Sequence, residues 1–125
     1  MYLVDTNIFL EILLKQAKSQ ECKDFLDKNI GNFSMTDFSV HSIGVILLKH
    51  NEDALFLKFL NDMLPKVNLI SLPKEHYKDI LTNRKNKKLD FDDAYQYTVC
   101  RYYGFKLTTM DQDFKSIKDS DVLFL

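Results

Sequence analysis

Tyr2-Leu3-Val4-Asp5-Thr6-Asn7-Ile8-Phe9-Leu10 is the stretch whose reading decides the fold. A short apolar run stops at Asp-Thr-Asn, and Ile8, Phe9, Ile12 and Leu13 then recur at helical spacing. The pattern predicts a buried strand over 2–5 that passes straight into a helix from Thr6 to about Lys18, capped by Asp5 or Thr6. The strand thereby delivers a carboxylate at its C-terminal end. In open parallel α/β sheets that edge is where ligands bind.

The alternation continues along the chain. Ser19 to Lys28 reads as a helix with Cys22, Phe25 and Leu26 on one face, ended around Gly31. Phe33 to Thr36 reads as extended, and Asp37 to about His50 as a helix in which Gly44 points to close packing. A further helix, Glu52 to Leu64, is stopped by Pro65, and Val67 to Ser71 is a strand. Lys74 to Asn83 reads as a helix with Tyr77 and Leu81 inward, and the basic run Arg84-Lys85-Asn86-Lys87-Lys88 as a loop. The last long helix opens at Leu89-Asp90-Phe91-Asp92-Asp93 and runs to about Tyr103, capped by Gly104. Phe105 to Thr109 is a strand, Asp111 to Phe114 a turn into a short helix, and Asp121 to Leu125 a closing strand. Strands alternating with helices imply an α/β fold with a central parallel sheet and helices on both faces. One domain over 1–125 is expected, without repeat, linker or low-complexity segment.

Composition agrees. Three glycines and two prolines in 125 residues leave few places for long irregular loops, which disfavours an all-β fold. The net charge of −1 offers no broad basic face for nucleic acid, although a local cluster can act alone. Cys22 and Cys100 lack CxxC spacing and fall at apolar helical positions, as buried free thiols do. The N-terminus has no basic region typical of a signal peptide, and no apolar run approaches the roughly 20 residues that span a bilayer. The expectation is a cytoplasmic chain with no membrane contact.

Three carboxylates carry the functional reading. Asp5 ends the first strand, Asp93 lies in the first turn of the late helix, and Asp111 follows the strand ending in Thr109. A parallel sheet can bring such positions to one edge, where the carboxylates would repel one another strongly. A hard divalent cation such as Mg²⁺ or Mn²⁺ relieves that repulsion, and phosphodiester hydrolysis is the chemistry it suits. Each acid also has a plainer role. Asp5 and Asp113 suit helix caps, Asp111 suits a turn, and Asp90 and Asp92 suit a helix N-terminus for its macrodipole. The basic run ending in Lys87 and Lys88 precedes the Asp93 helix, where an RNA phosphate contact fits beside its ordinary reading as a solvated loop. Tyr95, Tyr102 and Tyr103 are candidates to stack a base, with core packing as the alternative. His50 and His76 read as surface residues without ligand spacing.

Val4-Asp5-Thr6-Asn7, Asp93-Ala94, and Leu107-Thr108-Thr109-Met110-Asp111-Gln112-Asp113-Phe114 together resemble, in order and spacing, the signatures of PIN-domain proteins. The closing Asp121 to Leu125 strand also fits, so the resemblance spans nearly the whole chain. It is closest in length to small prokaryotic members, many of them ribonuclease toxins of toxin–antitoxin pairs. The resemblance implies a Mg²⁺- or Mn²⁺-dependent ribonuclease that cleaves RNA, a possible antitoxin partner and a homodimer, with exposed apolar residues of the first helices as interface. It implies Asp5, Asp93 and Asp111 as metal-binding catalytic carboxylates, Asp113 as a further acid, and Asn7 as a polar helper. One departure stands out. The family places a Glu in the pattern Thr-x-x-x-x-x-Glu, whereas Thr36-Asp37-Phe38-Ser39-Val40-His41-Ser42 ends in Ser42. Ser42 is a far weaker ligand than a carboxylate, Asp37 lies about 140° around the helix, and His41 faces a different direction. The alternative is therefore a catalytically impaired PIN-like module that binds RNA or a protein. A phosphoryl-accepting signalling domain also gathers aspartates at strand ends, but the middle of this chain lacks the strand-end Asp and downstream Lys that complete that arrangement.

Overall fold

In the computed structural model, which describes residues 1–117 and 120–125, Leu3 and Val4 of the first strand are both fully buried. Neighbouring strand residues point to opposite faces. Leu3 accordingly packs with Tyr97, Val99 and Leu107, whereas Val4 packs with Ile8, Phe9 and Met35. This strand, β1 (Tyr2–Val4), pairs in parallel with β2 (Phe33–Thr36) on one side and β4 (Lys106–Thr109) on the other. With β3 (Asn68–Ile70) and β5 (Val122–Phe124), the described residues form one parallel sheet in the order β3-β2-β1-β4-β5. The chain winds outward from β1 to β3, then crosses back to start β4 beside β1. The reversal falls between β1 and β4, the position at which α/β sheets open a crevice beyond their carboxyl ends.

Helices α1 (Thr6–Leu13), α2 (Ser19–Lys28), α3 (Asp37–Lys49) and α4 (Asp53–Asp62) cover one face, around Phe9, Leu26, Ile43, Leu47 and Phe59. Helices α5 (Tyr77–Lys87) and α6 (Phe91–Tyr103) cover the other. Every residue from Ala94 to Cys100 is buried, because α6 lies between the sheet and α5. Gly44 on α3 meets the ring of Phe56 on α4, only 3.1 Å from where a Cβ would stand, which accounts for a glycine within a helix. Both cysteines are buried, and burial pushes the Cys22 thiol up to about 11.

Four local expectations are corrected. The first helix ends at Leu13 rather than near Lys18: Lys15 turns left-handed (φ 51°), and the Glu11 carboxylate accepts the Lys18 N–H at 2.8 Å, closing the turn. The basic run is helical through Lys87, since Arg84, Lys85 and Lys87 favour helix and complement the negative end of its dipole; Lys88 (φ 56°) then ends α5. Tyr77 and Leu81 face outward, at 48% and 65% exposed, while Ile80 is buried. The phase of α5 is set by polar contacts to α6, with Asn83 Nδ2 donating to Thr98 Oγ1 at 3.0 Å and Lys87 Nζ 5.9 Å from the Tyr97 ring centroid. Finally, Tyr95 is not available to stack a base. It is buried, and its hydroxyl accepts the Leu72 N–H at 3.2 Å.

Candidate metal centre at the sheet edge

Register builds the site. Leu3 pairs with Ser34 and with Leu107, so two residues further on Asp5, Thr36 and Thr109 share the face that α6 covers. Thr109 Oγ1 donates to Asp5 Oδ2 at 2.8 Å, while Oδ1 accepts the Thr6 N–H at 2.8 Å and Gln96 Nε2 at 3.2 Å. Asp5 is thus the N-cap of α1 and, at 6% exposed, a buried anion with three donors. Burial raises its carboxyl above the ordinary range, against hydrogen bonds from Thr109, Gln96 and Thr6; the charge of Asp111 adds to the rise.

Gln96 lies one helical turn after Asp93, on the same side of α6. Counting protons fixes its amide. Thr36 has one hydroxyl proton, given to Gln96 Oε1 at 2.8 Å, so the 3.2 Å contact between Thr36 and Ser39 uses the Ser39 proton. Nε2 then donates to Ser39 Oγ at 2.7 Å and to Asp5. The three side chains close a ring of consistent direction, and Thr6 Oγ1 donates into it at Ser39 Oγ, 2.9 Å away. The opposite amide orientation would set an oxygen against the Asp5 carboxylate.

Three other carboxylates converge at the mouth of the crevice. Asp93, Asp111 and Asp113 each offer an oxygen, and these oxygens lie within 4.8 Å of one another. Asp111 caps a short 3-10 helix (Gln112–Ser116), its Oδ1 accepting the Asp113 N–H at 2.9 Å. Its own N–H donates to Thr109 Oγ1 at 2.9 Å, tying it to the Asp5 network. Asp90 is the cap of α6, accepting the Asp93 N–H at 2.8 Å. The carboxylate of Asp93 is half-buried and accepts no hydrogen bond from the described residues. Burial pushes it up to about 8, reinforced by the charges of Asp111, Asp90, Asp5 and Asp113.

That shift gives a stability prediction. Between about pH 4 and about pH 8 the folded chain holds a proton on Asp93 that the unfolded chain has released. Folded-state stability therefore falls as pH rises through this window and levels off above it. Thermal denaturation in EDTA should give a higher melting temperature near pH 5.5 than near pH 8.5.

The remaining residues singled out in the sequence are placed as follows. Asn7 Nδ2 donates to Thr109 Oγ1 and Oδ1 accepts the Met110 N–H, both at 3.4 Å, holding the segment after β4 against α1. Ser42 is half-buried on α3, one turn beyond Ser39, and makes no side-chain hydrogen bond among the described residues. Lys87 and Lys88 end α5 and form no ion pair with the acids there. Thr36, Ser39 and Thr109 lie within the quoted motifs without a role of their own, and Gln96 lies in none; its signal in the sequence is a lone amide in the stretch Ala94 to Cys100, which holds no charged residue.

The model of the PIN domain family matches residues 2–120. The chain belongs to the PIN domain family. Solved structures agree in fold at low identity. A toxin–antitoxin complex from Klebsiella pneumoniae matches with a TM-score of 0.79 and 19% identity, covering 98% of this chain and 96% of that one. VapC20 of Mycobacterium tuberculosis, a toxin that cleaves the sarcin–ricin loop, matches at 0.77 and 15%, covering 98% of each chain. VapBC2 of Rickettsia felis, bound to promoter DNA, matches at 0.74 and 16%, covering 99% of this PIN domain and 96% of that chain. No curated protein matches the sequence at a significant level.

Proposed function

We propose that this PIN domain is a divalent-metal-dependent ribonuclease acting as the toxin of a toxin–antitoxin pair. Asp93 carries the reading. A half-buried carboxylate with no hydrogen-bond donor among the described residues, crowded by two others, favours a proton or a cation beside it. A donor set made of oxygens fits Mg²⁺ or Mn²⁺. Asp93, Asp111 and Asp113 would hold the ion, with Asp5 fixed next to them as a further acid. When bound, such an ion neutralises the carboxylates, orients a phosphodiester and activates water. The chain's own residues do the rest. Thr6, Gln96 and Thr109 keep Asp5 in one rotamer, Asn7 braces the loop that carries Asp111, and Asp93 gives up its proton as the cation arrives.

RNA is the proposed substrate and an antitoxin the proposed protein partner, in keeping with the toxin–antitoxin complex among the structural neighbours. A groove of about 460 Å³ between α1, α2 and α4 is lined by Phe9, Leu26 and Phe59, with four lysines, Lys15, Lys23, Lys58 and Lys66, against two acids, Asp27 and Asp62. It suits an amphipathic acidic segment of such a partner. Leu14 and Ile30, exposed at the ends of the first two helices, are the candidates for a homodimer contact. No helix among the described residues is long and apolar enough to cross a membrane, and the cytoplasm is the proposed location.

A second reading, a non-cleaving relative that binds RNA or protein, is favoured by Ser42. Incubating the protein with a panel of structured RNAs separates the two. Cleavage that leaves 3′-hydroxyl and 5′-phosphate ends with Mn²⁺ and disappears in EDTA is the expected result. Intact RNA after incubation with folded, Mn²⁺-saturated protein would replace the first reading with the second.

A further inference from the structure

A cleft of about 280 Å³ opens between the N-terminal turns of α3 and α6 and the start of α5, apart from the carboxylate trio. We propose that it binds a nucleobase of the RNA strand, guanine by preference, with Phe91 as the stacking ring. The proposal rests on the ribonuclease reading and names part of its substrate.

The back of the cleft is rigid. Tyr95 is buried and bonded to the Leu72 N–H, and the rings of Phe38 and Tyr77 lie 5.8 and 6.1 Å from it. Phe91 differs. It opens α6 between the cap Asp90 and the acidic pair Asp92-Asp93, is 52% exposed, and forms no ring pair among the described residues. A large apolar ring left in water gains nothing for the fold, whereas a base stacked on it removes that surface from water.

Charge selects the occupant. Asp37, Asp92 and His41 lie in the lining, and no Lys or Arg among the described residues contributes to it. Two carboxylates repel a phosphate but accept hydrogen bonds from the N–H edge of a base. Guanine offers two adjacent donors, N1–H and the N2 amino group, which one carboxylate can accept together. Position agrees with this. Asp92 directly precedes Asp93, so the cleft and the trio flank the same first turn of α6, their side chains about 100° apart around it.

The test titrates GMP and UMP, each with Mg²⁺, into the full chain while aromatic resonances are followed by NMR. Cleavage of an oligouridine carrying one guanine is measured alongside. GMP should shift Phe91 and Tyr77 in the wild type, UMP less, and neither in Phe91→Ala. The same variant should raise KM for the guanine-containing oligomer about tenfold, the loss of one base–aromatic stack. Its kcat should stay within about twofold and its Mn²⁺ affinity should be unchanged, since Phe91 contributes no oxygen to the trio. Asp92→Asn should reduce the preference for GMP over UMP. An unaltered KM in Phe91→Ala with no GMP shift at Phe91 would overturn the proposal. So would a wild-type dimer that Phe91→Ala converts to monomer in sedimentation, because the cleft would then be a contact between copies. If no oligomer is cut, the ribonuclease reading fails by itself, and the GMP titration still decides whether the cleft binds a base.

Discussion

Asp93→Asn should abolish metal-dependent RNA cleavage and weaken Mn²⁺ binding by roughly 100-fold, yet raise the melting temperature of the metal-free protein near pH 8.5. The two effects have one cause. Asp93 is held half-buried beside Asp111 and Asp113 with no hydrogen-bond donor among the described residues, and its carboxyl is pushed up to about 8. Above that value the empty site contains a repelling cluster that destabilises the fold. Asparagine removes one charge from the cluster and supplies an N–H that its neighbours can accept. It also removes the ligand whose oxygen meets those of Asp111 and Asp113. Calorimetric Mn²⁺ titration and thermal denaturation in EDTA check both halves. A variant that lost Mn²⁺ affinity through misfolding would melt lower, and that combination would speak against the assigned role.

Gln96→Met should lower the melting temperature by about 10 °C, from a loss of roughly 2–4 kcal/mol. Methionine has similar volume and fills the space, so packing is largely retained. What disappears is the amide that accepts from Thr36 and donates to Ser39 and Asp5. The Asp5 carboxylate then keeps only Thr6 and Thr109 as donors in a buried setting. Mn²⁺ affinity should fall about tenfold, since Asp5 and Gln96 act as one bonded unit beside the trio. A double-mutant cycle with Asp5→Asn separates positioning from packing. If Gln96 acts through Asp5, its replacement changes Mn²⁺ affinity little in the Asp5→Asn background. Equal losses in both backgrounds would make Gln96 a packing residue.

Much of this was legible in the sequence, because burial imposes period. Leu3-Val4 followed by Asp5 could end only as a buried strand meeting a helix, and the sparse glycines and prolines left little room for anything but α/β. Side-chain contacts between helices were not legible. The outward Tyr77 and Leu81 of α5 look like core by spacing alone, and only the Asn83–Thr98 and Lys87–Tyr97 contacts reveal the true phase. The turn after Leu13 depends on Glu11 reaching Lys18, a contact that no periodicity reports. At the site, the order of Asp5, Asp93 and Asp111 pointed to one sheet edge, and the structure brings Asp93 and Asp111 together with Asp113. Asp5 lies beside that trio rather than in it, held by Gln96, which joins it to the hydrogen-bond ring with Thr36 and Ser39 across residues 60 and 91 positions apart. Such long-range polar matching leaves no periodic trace.

The most direct test of the central claim is calorimetric titration of the wild-type protein with Mn²⁺ in buffers of different ionisation enthalpy, which counts protons released per ion bound. A trio containing a protonated Asp93 predicts saturable binding that releases close to one proton per ion near pH 7 and almost none near pH 9. Absence of saturable binding, or binding with no proton released near pH 7, would contradict a metal centre built on Asp93.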